Sequence, residues 1–451
     1  MSGEEIGADG RVFAHIATGP EAETSYELPR LGKFSWENSN ASPFPQNKTV
    51  VIGMDDATPG QVYVYVGNKT NVGSEVDKAG LTNGLLYGIK VAGFPTEART
   101  SPFGGIVKGG TVPFTMQIKN TTGNVSAMSG GALQADSVAL GITEFLRPED
   151  GMWDPKNPNR FYFATTDRYD QVKDGTGAQV GRSRLWVLEF TNIATPTVGG
   201  QLRLLIDGSE PVASGGLNMM DNIGADVDGQ ITIVEDVGGQ AHNGKFARYN
   251  SANGLVEILA KHDQARFGDI GVAATAPFSN DEEFSGDIDI TAIMAGSPLN
   301  TGGANDRFYL FVDQSHYNSG ITTAQVEGGQ ILVMRAPALP SPINNAKTSR
   351  SAIVRDRLTG KYKQNVTVTN TTAAPLAGPF FLALDNLTTG VTLANSSGPA
   401  ANVLPLGGPT IFVTAGPLAP SASATVTLEF INSNNGPINY YARVLNNVVA
   451  P

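Results

Sequence analysis

The sequence contains no cysteine, and charged residues make up only 16% of its 451 residues. The lack of cysteine excludes disulfide bridges, thiolate metal sites and cysteine nucleophiles. The sequence also lacks any run of about 18 apolar residues, the length that a membrane-spanning helix requires. Its opening residues, MSGEEIGADG, are polar and acidic, so we expect no signal peptide in this chain.

Several common catalytic motifs are also missing. The sequence has no Gly-x-Ser-x-Gly nucleophile elbow, no phosphate-binding P-loop and no dinucleotide fingerprint after a strand. Three of its four histidines, His15, His242 and His262, have no partner at a spacing that would form a zinc site. These absences argue against serine hydrolases, nucleotide-dependent enzymes and zinc enzymes.

The net charge of −11 is distributed unevenly along the chain. The first 343 residues carry 39 acidic and 24 basic side chains, a balance of −15, whereas the remainder carries three acidic and seven basic ones. An acidic body repels nucleic acids and anionic membranes. It attracts cations, and calcium is the cation that we expect.

Glycine and proline together account for 80 residues, which indicates many tight turns and an all-β protein. Within the first 340 residues, five segments share the pattern of a strand, a polar turn and a second strand: 10–29, 48–67, 159–190, 229–250 and 306–337. The only helical pattern is weak and lies at 256–267. A recurring unit of this kind predicts a repeat architecture.

The repeats favour a β-propeller, in which the first strand of each blade lines a central channel; a large jelly roll or double sandwich is the alternative. In several segments the first strand ends in carboxylates, among them Asp55, Asp56, Glu235 and Asp236. Such strand-end acids would meet near the channel mouth, where calcium takes carboxylate oxygens as ligands. The alternative is that these acids cap turns and keep the surface soluble.

A proline-rich segment at 336–349 separates this region from a stretch rich in Thr, Val, Asn, Ala and Leu. We therefore predict a propeller at 1–340, a linker at 341–349 and a second domain at 350–451. Short segments that alternate apolar and polar residues, separated by turn residues at spacings of about 8–20, predict an immunoglobulin-like β-sandwich of roughly seven short strands in the second domain.

Four longer motifs resemble those of the PhoX-type alkaline phosphatases. They are LGKFSWENSNASP (31–43) with the strand after it, LRPEDGMWDPKNPNRFYFATTD (146–167), LNMMDNIGADVDGQITIVEDVGG (217–239) and DRFYLFVDQSHY (306–317). They occur in the order found in that family. The resemblance covers about residues 1–340.

The resemblance implies a six-bladed propeller with a cluster of calcium and iron, and hydrolysis of phosphate monoesters. It implies metal ligands at Glu5, Glu37, Glu149, Asp221, Glu235 and Asp236. We expect Glu37, Glu149, Asp221 and Glu235 to converge although they span about 200 residues. The family's iron ligand is a cysteine in an Asn-Cys-Ala-Gly-Gly motif, which has no counterpart here, so calcium is the expected cofactor and iron is disfavoured.

Three further groups complete the candidate site. The acidic segment SNDEEFSGDIDI (279–290), similar to segments of phytase-like and esterase-like propellers, adds Glu282 and Glu283 as metal-ligand candidates. Arg147 precedes the Pro-Glu motif and is a candidate phosphate-binding residue, because a guanidinium holds phosphate with two parallel hydrogen bonds. His316 is a candidate acid or phosphate ligand; for both residues the alternative is a structural role.

Two functions follow. The first is a secreted, calcium-dependent PhoX-like phosphoesterase that acts on phosphate esters or other small anionic substrates, with a C-terminal module for attachment or self-association. The second is a non-catalytic subunit of a bacterial surface layer, adhesin or fibre, stabilised by calcium. Both predict an extracellular or cell-surface protein with no nucleic-acid partner and no membrane span.

Overall fold

The computed structural model describes residues 1–98, 102–166, 183–208, 216–238, 242–251, 254, 256–276, 278–300, 306–315, 322, 329–336, 346–400 and 408–446. The chain forms two compact units. The first comprises Met1–Gly254, Ala260–Asp289 and Tyr309–Met334, and the second comprises Leu255–Leu259, Ile290–Phe308 and Arg335–Pro451. Strands dominate both units, which confirms the predicted all-β class.

The strands, in chain order, are β1 (Ser2–Gly3), β2 (Val12–His15), β3 (Ser25–Glu27), β4 (Trp36–Ala41), β5 (Lys48–Asp55), β6 (Val62–Asn68), β7 (Leu85–Val91), β8 (Thr111–Ile118), β9 (Pro148–Trp153), β10 (Arg160–Thr165), β11 (Arg184–Phe190), β12 (Gly200–Ile206), β13 (Met220–Ala225), β14 (Ile231–Glu235), β15 (Lys245–Tyr249), β16 (Val256–Lys261), β17 (Glu282–Asp289), β18 (Arg307–Ser315), β19 (Gly329–Ala336), β20 (Ala346–Arg350), β21 (Val354–Arg355), β22 (Tyr362–Asn370), β23 (Phe380–Asp385), β24 (Val391–Leu393), β25 (Gly398–Pro399), β26 (Pro409–Thr414), β27 (Ser423–Asn432) and β28 (Tyr441–Asn446).

The helices are short. They are α1 (Glu75–Lys78), α2 (Gly130–Leu140), α3 (Gln264–Phe267) and α4 (Thr291–Met294), with 3₁₀ turns at Pro29–Leu31, Pro102–Gly104 and Pro196–Val198. Among the described residues, none of these helices has the length and apolar character needed to cross a membrane.

The first unit is built around a nine-stranded antiparallel sheet in the order β4-β5-β6-β7-β8-β12-β11-β10-β9. Its two edge strands approach each other through side chains: Asn38 donates a hydrogen bond to Asp150, and Trp153 Nε1 donates to the Asn40 carbonyl at 3.1 Å. The sheet is therefore nearly closed. One apolar cluster fills its interior, with members from β5, β6, β10, β11 and β12.

The apolar character of β5 and β6 follows from burial of both faces. Val62 and Val64 join the interior cluster, whereas Tyr63 and Tyr65 point to a second cluster that includes Phe34 and the first strands of the chain. A strand with two buried faces reads as a continuous apolar run rather than as an alternating one. This explains the runs VVIGM and VYVYV in the sequence.

All five predicted strand pairs are present: β2 with β3, β5 with β6, β10 with β11, β14 with β15, and β18 with β19. The predicted position of the first strand in each repeat needs a correction. In four repeats an extra strand, β4, β9, β13 or β17, precedes the pair and forms the edge of its sheet. The six-bladed propeller itself stays a prediction.

The region predicted to be helical at 256–267 is mainly extended. Residues 256–261 form β16, and only α3 is helical there. β-Branched and apolar residues at the start of this segment suit a strand, and Asp263 caps the short helix by accepting a hydrogen bond from the Ala265 N–H.

The second unit contains two antiparallel sheets, β20-β22-β27-β24 with β21 beside β22, and β25-β26-β23-β28. Alternate residues of both sheets share one apolar cluster, including Val366 and Phe430 from one sheet and Leu382 and Val444 from the other. The first strand of these two sheets, β20, begins at Ala346, inside the predicted linker. The two-sheet architecture agrees with a sandwich, while the immunoglobulin-like topology and the domain boundaries stay predictions.

The two cores share no residue, so we expect a core truncation in one unit to leave the other unit's melting transition in place. Phe163 and Leu382 are both fully buried. Replacing Leu382 with Ala should destabilise the second unit by about 2–5 kcal/mol, and Phe163→Ala should destabilise the first by about 3–5 kcal/mol. Calorimetry of the two variants tests this: a single transition that both variants lower equally would contradict it.

Candidate metal centre

The four extra strands share one sequence feature. In β4, β9, β13 and β17 the second residue is an acid: Glu37, Glu149, Asp221 and Glu283. β4 lies against β9, β9 against β13, and β13 against β17. We call them the acidic edge strands, because their neighbouring positions bring these carboxylates to one end of the group.

Two sets of three carboxylates result. Glu37, Glu149 and Asp221 each place an oxygen within 4.8 Å of the others, and so do Glu5, Glu37 and Asp56. Glu37 belongs to both sets, so the five acids form one continuous group, the acidic cluster. The predicted convergence of distant acids is therefore seen for Glu37, Glu149 and Asp221.

Arg147 brings a positive charge to this cluster. Its Nε lies 2.7 Å from Asp56 Oδ1 and 3.0 Å from Glu149 Oε1, and a quarter of its side chain is exposed. Its φ of +61° lies in the left-handed region, which costs free energy for a residue with a side chain. The turn before β9 thus aims the guanidinium between two carboxylates.

The electrostatics of the cluster disfavour its charged form. Burial and repulsion from Glu5 raise the pKa of Glu37 to about 8, and desolvation with the neighbouring Asp56 raises the pKa of Glu5 to about 7. Burial and repulsion from other acids hold the pKa values of Glu149 and Asp221 well above normal. Arg147 lowers all four pKa values. Within the described part of the chain, the ion pairs of the cluster involve one guanidinium, which is too little charge to neutralise five acids.

The acids suit a hard cation. Glu149 is 1% exposed, and its Oε1 makes no hydrogen bond within the described part of the chain, although Arg147 Nε is near. Burial of a carboxylate is costly unless a cation lies against it, and Glu149 shares the guanidinium of Arg147 with Asp56. Oxygen-only ligands are those that calcium prefers.

Glu235 does not converge with Glu37, Glu149 and Asp221 as the sequence predicted. It is fully buried but joins neither set; its Oε2 lies 3.1 Å from Lys245 Nζ, and its Oε1 accepts a hydrogen bond from the Asn218 N–H at 2.8 Å. Lys245 neutralises this carboxylate, so Glu235 belongs to a structural ion pair. The neighbouring Asp236 is half-buried and near enough to Asp221 to raise its pKa.

The other predicted residues lie around the cluster. Glu283 also raises the pKa of Asp221, and Glu282 beside it is buried. Asp55 is 5% exposed, and burial raises its pKa to about 7. It lines a cavity of about 180 Å³ together with Lys33, Tyr63 and Asp56, a member of the acidic cluster. His316 lies outside the described residues.

Sequence reasoning missed the residues that hold the acidic edge strands together. Asp150 accepts hydrogen bonds from the Asn38 side chain and, at 3.1 Å, from the Ile223 N–H, so it joins β4, β9 and β13. Asn222 Oδ1 accepts the Gly286 N–H at 3.1 Å and joins β13 to β17. The signal was available: in the first three strands an Asn or Asp directly follows the clustered acid.

Comparison with known proteins places this geometry in context. The family model for alkaline phosphatase PhoX matches residues 17–288. The chain is similar to the solved structure of Pseudomonas fluorescens PhoX in complex with vanadate, a transition state analogue, at 17% identity and a TM-score of 0.45. That similarity covers 71% of this chain and 56% of the other, so the chain spans little more than half the length of that protein.

A second similar structure is the periplasmic gluconolactonase of Pseudomonas aeruginosa, with 9% identity and a TM-score of 0.28 over 82% of this chain and 90% of that one. No curated protein matches the chain.

The raised pKa values predict how stability depends on pH and calcium. A carboxyl group whose pKa is raised on folding contributes its full stability to the folded state at pH values below its unfolded pKa of 4.5. That contribution is lost as the pH rises through the folded pKa, which is about 7 for Glu5 and about 8 for Glu37. The melting temperature of protein freed of calcium by EGTA dialysis should therefore fall between pH 5.5 and 8.5.

Calcium should reverse this fall, with about 2.7 kcal/mol of stabilisation at a concentration 100-fold above its Kd. Its effect should be largest near pH 8, where the acids would otherwise repel one another. Melting curves at pH 8 that are the same with calcium and with EGTA would contradict a cation site in the acidic cluster.

Proposed function

Because the chain belongs to the alkaline phosphatase PhoX family, we propose that it is a metal-dependent phosphatase that hydrolyses phosphate monoesters at the acidic cluster. The observation that carries the proposal is the pair of carboxylate sets that share Glu37. All of these carboxylates except Glu5 lie within the residues that the family model matches. The cluster also lies at one end of four strands that contact one another in sequence.

We propose calcium as the metal, held by Glu5, Glu37, Asp56, Glu149 and Asp221, with Asp236, Glu282 and Glu283 as further candidates around them. When bound, such a metal supplies a Lewis acid that polarises a phosphoryl oxygen and lowers the pKa of water. The carboxylates fix its position, and Asp150, Asn38 and Asn222 hold the strands that carry them. With no cysteine in this chain, iron is the less favoured metal.

Arg147 has a positioning role in this proposal. Its ion pairs with Asp56 and Glu149 fix both carboxylates, and its exposed part faces solvent at the cluster. A guanidinium there offsets the negative charge that would otherwise repel a phosphate ester. His316 remains a candidate acid or phosphate ligand from the sequence alone.

The proposal includes an extracellular or cell-surface location in a bacterium and a second unit that serves attachment or self-association. Both rest on the family resemblance and the two-unit organisation. A purely structural protein, the other function that the sequence suggested, is not favoured by the family match.

Replacing Glu149 with Gln tests the proposal, because the change keeps the shape and removes one buried charge. Hydrolysis of p-nitrophenyl phosphate with calcium should fall at least about 100-fold, and calcium binding should weaken. In calcium-free protein at pH 8 the same variant should melt higher than wild type, since a repulsive charge is gone.

The matched control is Glu75→Gln, which removes an exposed carboxylate paired with Lys78 at 2.7 Å. It should leave hydrolysis and calcium binding unchanged. Undiminished hydrolysis by Glu149→Gln would overturn the site, and no hydrolysis by calcium-loaded wild type would overturn the activity in favour of a structural role.

A further inference from the structure

A second polar site lies on the outer face of β10, β11 and β12, within the first unit. The inner face of these strands is apolar: Phe161, Trp186 and Leu202 belong to the interior cluster. The alternate residues on the outer face include Arg160, Glu189 and Arg203, with Arg160 directly opposite Glu189 in the strand register.

These side chains line a cavity of about 360 Å³. Lys108 and Tyr249 line it, and Val187 and Leu205 form buried apolar parts of its wall. The lining carries three basic side chains and one acidic one. This local excess of positive charge stands out in a region whose sequence carries a balance of −15.

The two arginines share a single carboxylate. Arg203 Nη2 donates to Glu189 Oε2 at 2.7 Å, and Arg160 Nη2 lies 3.1 Å from Glu189 Oε1. The Gly109 carbonyl accepts a further hydrogen bond from Arg203 Nη1 at 3.0 Å, which fixes that guanidinium. One carboxylate balances one guanidinium, so the pair and Lys108 retain a net positive charge toward the cavity.

Two tyrosines of the cavity differ in how their hydroxyl groups are used. The Tyr162 hydroxyl donates to Asp154 Oδ2 at 3.1 Å. The Tyr249 side chain is 5% exposed, yet its hydroxyl has no hydrogen-bond partner among the described residues. Burial raises the pKa of Tyr249 to about 12, with Arg203 and Arg160 acting in the opposite direction, so it is a neutral donor. A tyrosine hydroxyl that lines the cavity can donate a hydrogen bond to an anion bound there.

We propose that this cavity binds a small oxyanion, a phosphate or carboxylate group, through Arg160, Lys108 and the Tyr249 hydroxyl. The walls at Val187 and Leu205 would accommodate a small apolar substituent on that anion. The site is separate from the acidic cluster in its residues and opposite in charge, and it does not depend on the proposed phosphatase activity.

The two tyrosines provide a matched test in the full-length protein, with inorganic phosphate and benzoate as probes in calorimetric titrations. Tyr249→Phe removes a hydroxyl that faces the cavity, and Tyr162→Phe removes one that is bound to Asp154. We expect Tyr249→Phe to weaken anion binding about tenfold and Tyr162→Phe to leave it within about twofold. Arg160→Gln should weaken it as well, with partial recovery in Arg160→Lys, and Glu189→Gln should strengthen it.

Glu149→Gln distinguishes this site from the acidic cluster, because it should leave the Tyr249-dependent binding intact. Binding of either probe with this pattern supports the proposal, and the stronger probe identifies the anion. Two results would overturn the proposal. In the first, Tyr249→Phe, with a normal melting curve, binds neither phosphate nor benzoate more weakly than wild type does. In the second, Tyr249→Phe and Tyr162→Phe weaken anion binding by the same factor.

Discussion

Repulsion among five carboxylates is the constraint on which the first unit's organisation depends. Two unit charges 4.8 Å apart interact by about 3.5 kcal/mol at an effective dielectric constant of 20, and the acidic cluster contains several such pairs. Arg147 compensates only part of this. The remainder is balanced by strand packing, by hydrogen bonds across the acidic edge strands and, in our account, by a bound cation.

The fold places Glu37, Glu149 and Asp221 at the second position of their strands and Asp56 directly after the end of β5. The apolar clusters on both sides of β5 and β6 stabilise the sheet that carries Glu37 and Asp56, so the cluster itself need not contribute to stability. The same unit also contains a buried acid with its own cation, because Glu97 forms a direct ion pair with Arg184. Glu97 has its own guanidinium partner, whereas Asp56 and Glu149 of the acidic cluster share the single guanidinium of Arg147.

The sequence predicted the strand pairs well, because alternation and apolar runs report burial directly. It missed β4, β9 and β13 as strands, since WENSNA, PEDGMW and MDNIGA are short and polar and lack alternation. Their acids were found only through the family resemblance. Glu235 looked equivalent by position, but Lys245 on the next strand neutralises it, and that pairing depends on a register that composition does not reveal.

The most direct measurement is the anomalous diffraction of crystals grown with calcium. Our account predicts an anomalous peak within coordination distance of Glu37, Glu149 and Asp221, lost in crystals of a variant in which Glu37, the acid shared by both sets, is replaced by Gln. An acidic cluster with no peak, while calcium occupies only peripheral loops, would contradict the central claim.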